Sequence, residues 1–224
     1  MNIRKHIPNT ITMLNLFTGS IGVYFAFNHN YSVAFFAVLL AGLFDFLDGL
    51  SARVLKAYSP MGKELDSLAD VISFGLLPGV IAFSFLEQGS YPEWVKYAGF
   101  IITVFSALRL AKFNIDENQS TSFIGLPTPP NAILWVGLGF SFSEYLIEKP
   151  WLIMIFIVIF SGLLVSKLPM FALKFKSLKW SENKMQYIFL IGCIALIILF
   201  GWGAFAPIII WYIISSATLY PFLK

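Results

Sequence analysis

Four aspartates lie inside strongly apolar stretches of this chain, and they limit what it can fold into. Asp45 and Asp48 stand near the end of one apolar stretch, and Asp66 and Asp70 stand near the start of the next. On insertion scales an Asp at the bilayer centre costs roughly 2.5–3.5 kcal/mol, so apolar helices retain four only where metal, water or cations compensate them. The quartet therefore predicts a working site within a membrane protein.

The composition supports a membrane-embedded chain. Of 224 residues, 58% are hydrophobic and 12% are charged, whereas a soluble domain carries about 25% charged residues. We expect one integral membrane domain over 1–224, with a catalytic core at about 8–170, additional C-terminal helices at about 186–222, and no nucleic-acid partner. The single cysteine, Cys193, excludes an intrachain disulfide and a cysteine metal site.

Eight apolar stretches are long enough to cross about 30 Å of hydrocarbon. They cover residues 9–27, 32–53, 64–86, 95–113, 129–147, 151–167, 186–203 and 205–222. We predict an all-α polytopic bundle of about eight transmembrane helices. Only a Gly-Trp-Gly turn at 201–203 separates the last two stretches, which we expect to form a C-terminal hairpin.

The basic residues predict an orientation. If the N-terminus is cytoplasmic and the helices alternate, all lysines and arginines except Lys96 and Lys149 fall on the cytoplasmic side. These residues are Arg4, Lys5, Arg53, Lys56, Lys63, Arg109, Lys112, Lys167, Lys174, Lys176, Lys179, Lys184 and Lys224. The positive-inside rule then places both termini in the cytoplasm of a prokaryote, in its inner membrane, with the aspartates facing the cytoplasm.

The spacing of the aspartates suggests how they meet. Asp45 and Asp48 are three residues apart, and Asp66 and Asp70 are four apart, so each pair shares one helix face. Two such pairs on adjacent antiparallel helices can converge into an all-oxygen cage, which suits Mg²⁺ or Mn²⁺, with Ca²⁺ as an alternative. Four carboxylates could hold two divalent ions, an arrangement that recurs in phosphoryl transfer.

Three residues on the helix of the first pair could contact a ligand. The small side chains of Gly49 and Ala52 would let a ligand approach the backbone, although close helix packing explains them equally simply. Arg53 adds a fixed cation that suits a phosphate group.

The spacing from Asp45 to Asp70, D-x2-D-G-x2-A-R-x8-G-x3-D-x3-D, resembles the signature of the CDP-alcohol phosphatidyltransferase family. The resemblance implies a helical membrane enzyme, with a six-helix core, that exchanges the CMP of a CDP-linked lipid for an alcohol with divalent metals. It implies that all four aspartates bind metal and that Asp70 is also the general base. The CDP-binding residues that it implies are Asp48, Gly49, Ala52, Arg53, Gly62 and Asp66.

Four flanking segments, at 8–16, 67–75, 109–114 and 123–129, resemble the phosphatidylserine synthase branch of that family. The substrates implied are CDP-diacylglycerol and L-serine. Arg109, Lys112 and Asn114 would bind the serine, with lysine at 112 where we expect arginine. A membrane-anchoring role for these cations is the alternative. The stiff loop at 125–130 would form a substrate rim or a plain interhelix turn.

The sequence leaves two other functions open. The same chemistry could use glycerol 3-phosphate or inositol phosphate as the acceptor, which would need a phosphate pocket with several cations. An acidic cage could instead serve a metal-ion transporter, although we see no internal repeat of the kind typical of transporters.

Two surfaces suggest further partners. Gly19, Gly22, Gly75 and Gly79 offer close-packing faces, so a homodimer is expected from the family resemblance. The lysines from Lys167 to Lys184 could face anionic membrane phospholipids.

Overall fold

The computed structural model describes residues 6–115, 123–173, 175 and 179–220, and side chains of Phe123 and Ser181 are outside that description. The described ranges contain nine α-helices and two strands of two residues each. The helices are α1 (His6–Phe27), α2 (Tyr31–Val54), α3 (Pro60–Asp70), α4 (Leu77–Gln88), α5 (Phe100–Ile115), α6 (Thr128–Ile147), α7 (Pro150–Val165), α8 (Lys184–Phe200) and α9 (Phe205–Thr218). The strands are β1 (Phe123–Ile124) and β2 (Pro169–Met170).

Side-chain caps begin the two helices that carry the aspartates. The side chain of Asn30 accepts a hydrogen bond from the Val33 amide at 3.2 Å at the start of α2. Ser59 caps α3 in the same way through the Gly62 amide at 3.0 Å, and Pro60 follows it. These caps satisfy amides that the first helical turn leaves free, and proline is tolerated there for the same reason.

The all-helical membrane architecture is confirmed. In the described ranges, five helical segments are long and apolar enough to cross a membrane: His6–Phe27, Tyr31–Val54, Pro60–Gln88, Glu93–Ile115 and Lys184–Thr218. The last segment joins α8 and α9, and α7 is apolar but has only 16 residues. Each of the eight apolar stretches falls on a helix, but their number as spans stays a prediction. The last stretch ends at 221–222, outside the described residues.

The orientation also stays a prediction, but the structure places the relevant helix ends together. Lys63 near the start of α3 donates to the carbonyl of Asn114 at the end of α5, at 2.9 Å. At the opposite end of the bundle, Gln88 at the end of α4 donates to the Tyr31 hydroxyl at the start of α2, at 2.7 Å. Of the basic residues used for the orientation, Arg4, Lys5, Lys174, Lys176 and Lys224 lie outside the described residues.

The glycines expected to mediate a homodimer are used within the chain. A Cβ atom at Gly19 would clash with Ser73, and one at Gly22 would clash with Leu77. Gly75 packs on Ser106, and Gly79 packs on Thr103. Close approach of helix backbones is the usual reason for such residues in membranes. Because these four faces are already covered, they lend no support to a homodimer.

A π-helical segment, Val71–Leu76, connects α3 to α4 directly after Asp70. The Thr103 hydroxyl on α5 donates to the Gly75 carbonyl in this segment at 3.1 Å. Such segments widen a helix locally and often occur at functional sites. Here it lies directly beside the last of the four aspartates.

A short strand pairing brings the segment before α6 next to the segment after α7. β1 and β2 pair antiparallel, with Phe123 opposite Met170 and Ile124 opposite Pro169. Gly125 follows with φ +73°, and a Cβ there would meet the carbonyl oxygens of α7 and its C-terminal extension. Only glycine adopts this conformation readily in such a tight space.

Candidate active site

Three of the four aspartates form a compact group. One carboxylate oxygen from each of Asp45, Asp48 and Asp66 lies within 4.8 Å of the others. Asp48 is buried, while Asp45 and Asp66 are half-buried. The predicted convergence of α2 and α3 therefore brings carboxylates from both helices to one place.

Asp70 is not one of the three carboxylates in this group. It is buried at the end of α3, and Asn15 on α1 donates from Nδ2 to its Oδ1 at 3.3 Å. Asp70 lies four residues beyond Asp66, which is about 6 Å along a helix axis. The structure thus distinguishes one aspartate from the three that share a centre.

Helix α1 supplies two polar side chains that orient the acidic residues. Thr12 Oγ1 donates to Asp48 Oδ2 at 2.7 Å, and Asn15 bonds Asp70 as described above. Both α1 residues are buried. We did not predict these contacts, although two polar residues three positions apart on an apolar helix face were a usable signal.

The three-carboxylate group fits a divalent cation. The buried Oδ1 of Asp66 has no hydrogen-bond partner, and no lysine or arginine in the described ranges forms an ion pair with any of the four aspartates. Clustered carboxylates without cationic partners are unfavourable in an apolar setting. Oxygen ligands of this type are those that Mg²⁺, Mn²⁺ and Ca²⁺ prefer.

A first cavity, of about 530 Å³, opens beside this group. Five of the six residues expected to bind CDP line it, and Arg53 is the exception. Its lining comprises Pro8, Asn9, Thr12, Asp48, Gly49, Ala52, Ala57, Tyr58, Ser59, Pro60, Gly62, Lys63 and Asp66. Arg53 is exposed and donates from Nε to the Gly49 carbonyl at 3.0 Å, so its guanidinium is held near the cavity by the backbone.

A second cavity, of about 610 Å³, carries three cationic side chains. Its lining comprises Arg109, Lys112, Phe113, Ile115, Ile124, Leu164, Val165, Ser166 and Lys167. Arg109 is only 7% exposed, and its Nε has no hydrogen-bond partner. Arg109 also lies within electrostatic range of Asp70. Arg109 and Lys112, which we predicted to bind serine, thus line one cavity. Lys167 also lines it, although we did not predict that it would bind serine.

Asn114 does not line the second cavity. Its Nδ2 donates to Ser67 Oγ at 2.7 Å, and its carbonyl accepts from Lys63. These bonds tie the end of α5 to the start of α3. In this structure Asn114 connects helices beside the site.

The profile of the CDP-alcohol phosphatidyltransferase family matches residues 5–164, which include all four aspartates and both α1 side chains. The chain belongs to the CDP-alcohol phosphatidyltransferase family. The match ends within α7, so α8 and α9 lie outside it.

Several proteins similar to this chain are named CDP-diacylglycerol–serine O-phosphatidyltransferase. The protein of Helicobacter pylori strain 26695 is 35% identical over 183 residues, which cover 78% of this chain and 74% of that protein. The Bacillus subtilis protein is 34% identical over 143 residues, covering 64% and 80%. The Mycobacterium leprae protein is 33% identical over 174 residues, covering 73% of this chain but only 57% of its own length.

Proposed function

We propose that this protein transfers the phosphatidyl group of CDP-diacylglycerol to the hydroxyl of L-serine and releases CMP. The observation that carries the proposal is the group of three carboxylates beside a cavity lined by the family's motif residues. The names of the relatives support CDP-diacylglycerol and serine as the two substrates.

In this proposal Asp45, Asp48 and Asp66 hold divalent metal, with Mg²⁺ or Mn²⁺ favoured, two ions expected and Ca²⁺ as an alternative. When bound, such ions neutralise a diphosphate and polarise its phosphorus–oxygen bonds. Thr12 fixes the orientation of Asp48 through its hydroxyl. The first cavity accepts the cytidine diphosphate, where the missing side chain of Gly49 leaves room for it beside Arg53.

Asp70 acts as the general base. Asn15 holds one carboxylate oxygen of Asp70, which leaves the other free to accept the proton of the serine hydroxyl. The hydroxyl oxygen bonds to the lipid-side phosphorus, the bond from that phosphorus to the CMP oxygen breaks, and CMP leaves with the electron pair. A separate position for Asp70 suits this role, although a share in metal binding stays part of the proposal.

The second cavity receives the serine. Its carboxylate needs cationic donors, and Arg109 offers a buried guanidinium with an unpaired Nε. Lys112 adds a second positive charge at the rim as a point charge without the forked geometry of arginine. Asn114, predicted to bind serine, would act by tying α5 to α3.

The membrane placement is also a proposal. Eight spans with both termini in the cytoplasm would place the aspartates and both cavities at the cytoplasmic face of a prokaryotic inner membrane. The hydrogen bond between Lys63 and Asn114 supports this, because it places the start of α3 and the end of α5 at one end of the bundle. Arg53, Lys63 and Lys112 then share that side, as the positive-inside rule requires.

One observation favours a different acceptor. Arg109, Lys112 and Lys167 give the second cavity three cations, which would also suit the phosphate of glycerol 3-phosphate or inositol phosphate. The experiment is a transfer assay with purified protein, CDP-diacylglycerol, Mn²⁺ and equal concentrations of each labelled acceptor. Labelled phosphatidylserine as the main product supports the proposal. A main product from either phosphorylated acceptor would contradict it, and metal flux into proteoliposomes without lipid turnover would indicate a transporter.

The role of Arg109 makes a separate prediction. Arg109→Ala should raise the KM for serine at least tenfold and the KM for CDP-diacylglycerol by less than threefold, because only the acceptor carboxylate loses its donor. Steady-state kinetics with each substrate varied in turn measures both constants. The opposite pattern would assign Arg109 to the nucleotide.

A further inference from the structure

The C-terminal hairpin reaches the second cavity through a buried tyrosine. Tyr212 on α9 is 7% exposed, and its hydroxyl donates to the Phe171 carbonyl at 2.9 Å. The rings of Phe171 and Phe189 pack against it, with centroids at 5.0 and 5.8 Å. The aromatic contacts hold the ring, and the hydroxyl fixes one point of the segment that follows α7.

That point lies next to the cavity wall. Phe171 immediately follows β2, and Pro169 in β2 pairs with Ile124, which lines the cavity. Ser166 and Lys167, also in the lining, immediately precede this segment. The segment from Ser166 to Phe171, which forms part of the cavity wall, is thus held at one end by α7 and at the other by Tyr212.

Tyr212 also lies within electrostatic range of Arg109. The Tyr212 hydroxyl donates its proton to the Phe171 carbonyl, so its oxygen can still accept a hydrogen bond. Arg109 has a buried Nε without a hydrogen-bond partner, and it is the most buried of the three cationic residues that line the cavity. Tyr212 is therefore bonded to the segment that forms part of the cavity wall, and it lies within electrostatic range of the buried Arg109.

We infer that Tyr212 is a positioning residue for the acceptor alcohol: it holds the wall that carries Lys167 in register with Arg109. The inference rests on the proposed transfer reaction and gives a role to α9, which lies outside the family match at residues 5–164. The α8–α9 hairpin would then complete the acceptor site while the three carboxylates and the first cavity are built without it.

The test is Tyr212→Phe, which keeps the ring contacts and removes one hydroxyl. Loss of one hydrogen bond should raise the KM for serine about three- to tenfold. The KM for CDP-diacylglycerol and kcat should stay within about twofold of the unmodified protein. The stabilisation that added serine gives to the purified protein, measured as a shift in Tm, should fall in the same variant.

The matched control is Tyr97→Phe, which removes a phenol hydroxyl from the segment Glu93–Gly99 before α5 and should change neither KM. An unchanged serine KM and serine-dependent Tm shift in Tyr212→Phe would overturn the inference while leaving the transfer reaction intact. Equal changes in both KM values would reduce Tyr212 to a general structural role and also overturn it. If the unmodified protein makes no phosphatidylserine, the proposed function fails first, and the inference fails with it.

Discussion

The most informative single change is Asp70→Asn. Asparagine has nearly the same shape, and its carboxamide oxygen can still accept the 3.3 Å hydrogen bond from Asn15 Nδ2. Because Asp70 lies outside the group of three carboxylates, the metal ligands and the first cavity should keep their geometry. The substitution removes the proposed proton acceptor and one negative charge, and it leaves the three-carboxylate group itself unaltered.

The expected effect follows from the role of a general base. Such a group contributes about 10²–10⁴ in rate, which corresponds to about 3–5 kcal/mol in the activation barrier at 1.36 kcal/mol for each tenfold change. We expect kcat to fall by that factor and the KM for CDP-diacylglycerol to change less than about threefold. The assay is steady-state formation of labelled phosphatidylserine, combined with equilibrium binding of CDP-diacylglycerol.

The comparison variant is Asp66→Asn, which alters the three-carboxylate group itself. It should weaken Mn²⁺ and CDP-diacylglycerol binding together with turnover. If Asp70→Asn shows this same parallel loss of binding and turnover, Asp70 is only a metal ligand and the assignment as base is wrong. If Asp70→Asn keeps normal kcat, Asp70 has neither role.

Two further predictions concern α1. Thr12→Val keeps the side-chain shape but removes the 2.7 Å hydrogen bond to Asp48 Oδ2. In a metal titration, the Mn²⁺ concentration for half-maximal activity should therefore rise about tenfold or more. An unchanged titration would show that Asp48 needs no such partner. In Gly19→Val the new side chain should clash with Ser73 and lower the Tm in detergent by several degrees. Gly162→Ala should not lower it, because the space around Gly162 is open. Equal Tm values for the two variants would refute the packing argument.

Much of the site followed from local sequence spacing. Helical periodicity was enough to put Asp45 beside Asp48 and to place both near Asp66, because α2 and α3 are joined by a short turn. The same periodicity did not separate Asp70 from the other three. Asp70 instead accepts a hydrogen bond from Asn15 on α1, a contact that depends on how the helices pack.

The contacts that spacing could not predict join distant parts of the chain. Thr12 and Asp48 are 36 residues apart, and Asn15 and Asp70 are 55 apart. Asn114 was predicted from its motif to bind substrate, yet its amide donates to Ser67 across a helix contact. Pairings of this kind depend on the packing of helices, which one sequence does not fix.

The C-terminal helices show the same limit. Their apolar stretches predicted helices at the correct places, and the Gly-Trp-Gly turn does separate α8 from α9, with Gly201 at φ +53°. Periodicity gave no signal that Tyr212 would reach Phe171, because a tyrosine in an apolar helix is as typical of packing as of polar contact.

The account depends most on divalent metal held by Asp45, Asp48 and Asp66. The direct measurement is phosphatidylserine formation by purified protein after exhaustive chelation, followed by stepwise return of Mg²⁺ or Mn²⁺. We predict that turnover disappears on chelation and returns with either ion in the unmodified protein but not in Asp66→Asn at the same metal concentrations. Full turnover in the chelated protein would contradict the central claim.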